Sequence, residues 1–142
     1  MKWIICFAET HNVGTWRLFT FWRKGFSHVF AVRYEPELDA WMKYECASQR
    51  FNFDVYRDSD ADLLVAYMIN DCKCVEIKAD TEVIQTPRWL YCVSFVKHIL
   101  GIRGMFLLTP YQLYCELLKR GGEIIFEKDK GDFDGIHVAS TA

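Results

Sequence analysis

Apolar positions along this chain change period several times, and each change marks an element. Residues 2–8 form a short apolar run that reads as a buried strand, with a polar loop over residues 9–14. Residues 15–23 are aromatic and read as a short helix ended at Gly25. Residues 27–34 form a strand, and Glu35-Pro36-Glu37-Leu38 fits a type I turn with Pro at its second position. The chain returns over residues 39–46, where Trp41, Lys43 and Glu45 alternate with Met42, Tyr44 and Cys46. Residues 50–56 read as a further strand, 60–70 carry helical apolar spacing, and 73–78 a strand again. A helix over residues 91–100 stops at Gly101. The next opens at Thr109-Pro110, with Thr as N-cap and Pro in the first position, and closes at Gly121-Gly122. The sum predicts an α+β fold, a small antiparallel sheet packed against helices. Residues 1–126 read as one domain, and 127–142 as a polar C-terminal tail.

Composition narrows the function classes. The 142 residues are 51% hydrophobic and 25% charged, an ordinary balance for one globular domain. A formal charge of −2 leaves no basic footprint for nucleic acid. No apolar run reaches the roughly 20 residues that span a bilayer, and the run at residues 3–8 is too short for a signal-peptide core. The expectation is a cytoplasmic chain without a signal peptide or transmembrane segment.

The six cysteines include no Cys-x-x-Cys pair; Cys72-Lys-Cys74 is the closest spacing. A structural zinc site needs two closely spaced pairs or Cys and His at ligand spacing, so neither a metal nor another cofactor is expected. In a reducing compartment most of these thiols act as small buried hydrophobes.

Three residues carry candidate chemistry. His28 stands in FSHVFAVRY, an otherwise apolar strand just after the bend at Lys24-Gly25. Such a histidine can be a satisfied core side chain, or a base held rigidly at a sheet edge. Glu45 lies on the returning strand. A two-residue connection at Pro36-Glu37 puts it directly opposite His28, a four-residue connection puts it one diagonal away on the same face, and a three-residue connection puts it on the opposite face. Two of these registers bring a carboxylate to the imidazole; the plain alternative is a solvated glutamate beside Lys43. Cys92 opens WLYCVSFVKHILGI, where Cys92, Phe95, Val96, Ile99 and Leu100 follow helical spacing. That pattern suits a core cysteine. A cysteine in the first turn of a helix also meets the positive end of the dipole and unpaired N–H groups, which favour a thiolate and form an oxyanion site. A helix start at Thr86-Pro87 instead would push Cys92 into the second turn.

The combination of FSHV on a strand, an acidic residue on the next strand and YCVSFVKHILG opening a helix resembles the permuted NlpC-type papain-like cysteine hydrolases. In that branch the His-bearing strand precedes the Cys-bearing helix, whereas ordinary members run Cys then His. TPYQLYCELLKRGG is similar to small phage and bacterial members, and the likeness covers roughly residues 15–120. The resemblance implies a circularly permuted papain-like fold, Cys92 as nucleophile, His28 as base and Glu45 as the orienting residue. Tyr91, just before that nucleophile, is a candidate for lining the oxyanion site or the cleft. The activity that the resemblance implies is hydrolysis of amide or peptide bonds, with cell-wall stem peptides as substrate and a phage particle as a possible association. Lipid acyl transfer, as in lecithin:retinol acyltransferase-like relatives, goes with an Asn-Cys-Glu-His-like motif, from which Tyr91-Cys92-Val93-Ser94 departs. A non-catalytic phage structural or interaction module of the same fold is the competing class.

Overall fold

A computed structural model of the chain describes residues 1–9, 24–47, 50–79 and 91–127. Six strands build one antiparallel sheet: β1 (Lys2–Ala8), β2 (His28–Glu35), β3 (Ala40–Ala47), β4 (Arg50–Tyr56), β5 (Cys72–Lys78) and β6 (Glu123–Phe126), in the spatial order β4-β3-β2-β1-β5-β6. Among the described residues there are three helices, α1 (Asp58–Asp71), α2 (Cys92–Ile99) and α3 (Pro110–Lys119). The architecture is α+β, as the apolar pattern predicts. The expected helix at residues 15–23, the Thr86-Pro87 signal and the tail beyond Glu127 lie outside the described residues.

β1 shows why a strand can read as an unbroken apolar run. It is covered on both faces, and Ile5, Cys6 and Phe7 are wholly buried. Trp3, Ile5 and Phe7 pack with Val29, Val75, Val93, Val96 and Leu117 on the side of α2 and α3. Cys6 and Ala8 pack with Phe30, Val32, Leu64 and Met68 on the side of α1. Burying these side chains is the main stabilisation available, about 25 cal/mol for each Å² of apolar surface removed from water.

The start of α3 follows its sequence signal closely. Thr109 Oγ1 accepts from the Gln112 N–H at 3.2 Å, and Gln112 Oε1 accepts from the Thr109 N–H at 3.1 Å. Each side chain satisfies a backbone donor that the first helical turn leaves open. At the other end Gly121 takes φ +84, and a Cβ on Gly122 would sit 2.7 Å from Val75 Cγ1 and 2.9 Å from the Leu117 carbonyl oxygen. Glycine is needed there for the chain to turn back against the sheet as β6, a strand the sequence pattern did not predict.

Candidate active site

His28 is the first residue of β2, and the chain around it is tied down. Gly25 turns in the left-handed region at φ +83, and its N–H donates to the Glu9 carboxylate at 2.9 Å. Ser27 Oγ donates to the Ala8 carbonyl at 3.2 Å, and Ala8 is the ladder partner of His28. The start of β2 is thereby fixed to the end of β1.

Glu45 reaches His28 through the register of the β2–β3 hairpin. Glu35 pairs with Ala40 and Ala31 with Tyr44, so residues 36–39 form a four-residue connection. The Leu38 N–H donates to the Glu35 carbonyl at 3.2 Å, the bond of the expected type I turn, and Asp39 at φ 45 completes the reversal. Of the three registers considered, this one places Glu45 diagonally from His28 on the same face. The His28 Nε2–H donates to Glu45 Oε1 at 2.7 Å, and Lys43 Nζ donates to Glu45 Oε2 at 2.7 Å. The three side chains are only 13%, 16% and 15% exposed. Phe30 underlies them: its ring stacks with His28 at 6.3 Å between centroids, and the Lys43 ammonium lies 4.9 Å from its centre.

Cys92 is the first residue of α2. Tyr91 precedes it in extended conformation, with φ −150 and ψ 168, and provides no side-chain cap. The helix therefore begins at the cysteine, which places the thiol in the first turn, beside the N–H groups that point out of a helix start. The buried stripe of α2 is centred differently from the predicted one. Val93, Phe95 and Val96 are buried, while Cys92 and Ile99 lie at its margin, half-buried. Phe95, Val96 and Leu100 are buried as the spacing predicts, and a small turn of the helix adds Val93 to the core and leaves the thiol at its rim.

The two layers meet at His28. β2 alternation puts its side chain on the α1 side with Phe30, whereas Cys92 belongs to the helix on the other side; standing at the strand end, the imidazole bonds to both Glu45 and the Cys92 thiol. Glu45 takes Nε2, and the Cys92 thiol is the ring's other hydrogen-bond partner. Burial alone would lower the His28 pKa. The hydrogen bonds to Cys92 and Glu45, together with their negative charge, outweigh it and raise the value from 6.5 to about 9. Glu45 moves the opposite way, from 4.5 to about 2, because the bond to His28 and then the bond and charge of Lys43 overcome its burial. The arrangement holds a carboxylate and an imidazolium as a charged pair across the whole neutral range, with a thiol on the far side of the ring.

Two further groups feel the Cys92 charge. Burial first, and then the neighbouring Cys92, push the Tyr91 hydroxyl up. The same two causes push up the thiol of Cys46. The remaining cysteines behave otherwise. Cys6, Cys72 and Cys74 are buried on the α1 side, with the Cys74 and Cys6 sulfurs 3.4 Å apart. A hydrogen bond with Cys74 and then burial push the Cys72 thiol far up, and a hydrogen bond with Cys6 acts likewise on Cys74. No group of three His, Cys, Asp or Glu among the described residues is arranged to hold a metal ion. No helix among them is long and apolar enough to cross a membrane.

The structure thus brings together His28, Glu45, Cys92 and Tyr91, and adds two residues that the sequence did not single out as part of a site. Lys43 was visible only as a neighbour of Glu45; its i, i+2 spacing on a strand is the signal that both share a face. Phe30 bears the same relation to His28. Comparison with protein-family models, with curated proteins and with solved structures returns no match to this chain.

Proposed function

We propose that the chain is a thiol-dependent hydrolase of amide or peptide bonds, built as a permuted papain-like domain in which the His-bearing strand precedes the Cys-bearing helix. The observation that carries this reading is the line of Glu45, His28 and Cys92, with the imidazole bonded to both partners and the thiol at a helix start. A core cysteine would need neither a charged imidazole nor a carboxylate behind it.

The chemistry follows from the charges. His28 holds its proton to about 9, so an imidazolium stands beside the sulfur, and the attacking species in this reading is the Cys92 thiolate that such a partner favours. The Cys92 sulfur attacks the acyl carbon and a C–S bond forms while the carbonyl π pair moves to oxygen. The Cys92 backbone N–H at the helix start stabilises that oxyanion, with Tyr91 lining the same edge. Collapse breaks the C–N bond, and His28 gives its proton to the leaving amine. The now neutral imidazole takes a proton from water as the water oxygen attacks the acyl-enzyme. Breakage of the C–S bond releases the acid and restores thiolate and imidazolium. Glu45 fixes the ring and stabilises its positive charge throughout, and Lys43 holds the second carboxylate oxygen.

Cell-wall stem peptides are the first substrate class to test, on the resemblance of the His-strand and Cys-helix segments, and association with a phage particle belongs to the same proposal. The test is hydrolysis of peptidoglycan fragments by the wild-type chain and by Cys92→Ser and His28→Ala. Cleavage by the wild type, lost in both variants, is the expected result. Equal release by all three chains would overturn the assignment.

A further inference from the structure

The α1 side of the sheet holds three thiols that the site does not use. Cys6 on β1 and Cys72 and Cys74 on β5 are wholly buried. Cys6 and Cys74 are ladder partners, and their sulfurs lie 3.4 Å apart. The hydrogen bonds of the ladder identify the kind of pair they form. The Ala79 N–H donates to the Met1 carbonyl at 3.0 Å, so residues 1 and 79 form a hydrogen-bonded pair. The register then runs unbroken from Lys2 opposite Lys78 to Ala8 opposite Cys72. Hydrogen-bonded and non-hydrogen-bonded pairs alternate along an antiparallel ladder. Positions 1, 3 and 5 of β1 are therefore hydrogen-bonded to β5, and positions 2, 4 and 6 are not.

Cys6 and Cys74 thus occupy a non-hydrogen-bonded pair, where Cα atoms approach to about 4.5 Å and side chains come closest. A disulfide takes Cα atoms about 4.4–6.8 Å apart, so the ladder already meets its requirement without moving either strand. Bringing the sulfurs from 3.4 Å to bonding distance is a matter of side-chain rotation. Cys72 is placed otherwise. It lies two residues from Cys74 on the same strand, with Ala8 as its ladder partner. A bond between those two would span an extended repeat of about 6.6 Å, at the far limit of the disulfide range. Cys92 is on the other layer, with α2 on the opposite face of the sheet.

We infer that Cys6 and Cys74 are a modification site, a latent disulfide that ties β1 to β5 when the chain meets a small disulfide oxidant such as oxidised glutathione. The inference stands apart from the hydrolase reading. The thiolate of one cysteine attacks the S–S bond of the oxidant; a mixed disulfide forms and one glutathione leaves as thiolate. The second cysteine attacks the protein sulfur of that mixed disulfide, the Cys6–Cys74 bond forms, and the second glutathione leaves. The two protein sulfurs lose two electrons in all, the oxidant gains them, and the two thiol protons end on the released glutathiones. Leu64 and Met68 of α1 close over the pair, so exchange takes place as the chain folds or when α1 lifts from the sheet. Cys92, on the other face, stays a free thiol.

The test incubates the full chain with an excess of oxidised over reduced glutathione at the urea concentration of half unfolding, then returns it to buffer. After free thiols are capped with N-ethylmaleimide, peptide mapping without reduction should show one linkage, Cys6 to Cys74, with Cys92 capped. The thermal midpoint should rise by about 5–10 °C over the reduced chain, because the bond closes a long loop in the unfolded state. Dithiothreitol should cancel the rise. Linkage and rise should both be lost in Cys6→Ala and in Cys74→Ala, and both kept in Cys72→Ala. A Cys72–Cys74 linkage, or a chain recovered with all of its cysteines capped, would overturn the proposal. So would a Cys6–Cys74 linkage that lowers the midpoint, since a pair preset by the ladder needs no distortion. A linked chain in which iodoacetamide labels Cys92 no faster than Cys115 would leave the disulfide standing and overturn the hydrolase reading alone.

Discussion

The Nε2 of His28 and the Oε1 of Glu45 stand 2.7 Å apart, although the two residues do not face each other across their hairpin. The contact is diagonal, and it depends on the four-residue connection that sets the register. One residue more or less in that turn would turn Glu45 to the opposite face. Turn chemistry at Pro36 thus decides the electrostatics of a histidine at the other end of the strand.

The first prediction follows from that bond. Glu45→Gln keeps the shape and a hydrogen-bond acceptor but removes the charge that stabilises imidazolium. Turnover of a cleaved substrate should fall by at least about tenfold, with KM little changed, because the loss falls on a charge present in the reacting state. Loss of a charge-assisted bond should also cost about 1.5–3 kcal/mol of stability, measured by urea unfolding. Unchanged kcat would remove Glu45 from the catalytic role while leaving His28 and Cys92 in theirs.

Most strands and helices were legible because each depends on local signals. The capped start of α3, the turn at Pro36 and the apolar run of β1 are written within a few residues. β6 was missed because four residues after Gly-Gly carry too little pattern, and its place depends on the distant contact of Gly122 with Val75. Pairing of His28 with Glu45 could be narrowed to particular loop lengths, but the choice belonged to the turn. The rotation of α2 that puts Val93 in the core and Cys92 at its rim could not be read from spacing, since both phases offer an apolar stripe. Lys43 needed the register too, because only a settled Glu45 shows what the neighbouring ammonium holds.

Among the six cysteines, labelling by iodoacetamide at neutral pH should be led by Cys92. Cys6, Cys46, Cys72 and Cys74 are buried, and only Cys92 and Cys115 are partly accessible. Cys92 has an imidazolium beside it. Mass spectrometry of partially labelled chain checks the order, and His28→Ala should slow Cys92 labelling by about tenfold while leaving Cys115 unchanged. Labelling led by Cys72 or Cys74 would contradict both the burial and the pairing.

Stability should depend on pH in a defined window. Glu45 is lowered from 4.5 to about 2, so its contribution is complete above pH 4.5 and is lost as pH falls toward 2. His28 is raised from 6.5 to about 9, so its contribution is complete below pH 6.5 and is lost as pH rises through 9. The pair is worth most between these limits, and the alkaline loss should be on the order of 2–3 kcal/mol. Urea midpoints measured from pH 3 to 10 should form a plateau at pH 4.5–6.5 and fall on either side. Glu45→Gln should flatten the acid limb, and His28→Ala the alkaline one. Identical limbs in wild type and variants would assign the pH dependence to other groups.

The last prediction reads the thiol through its partner. Two of the causes that raise His28, the hydrogen bond and the charge of Cys92, disappear or weaken in Cys92→Ser, because a serine hydroxyl stays neutral where a thiolate would form. Burial, which pulls the imidazole downward, remains, and so does Glu45. The His28 ring should therefore titrate lower than about 9 in the variant, by on the order of one pH unit, and still above its ordinary value. Ring-proton NMR of the wild type and the variant measures this directly. Cys92 sits at the rim of the core, half-buried, so the substitution itself should change stability at pH 5 by less than about 1 kcal/mol. A lower His28 titration with an intact fold is what a thiolate–imidazolium pair requires. An unchanged titration would mean that the sulfur carries no charge next to the ring, and the nucleophile assignment would fall with it.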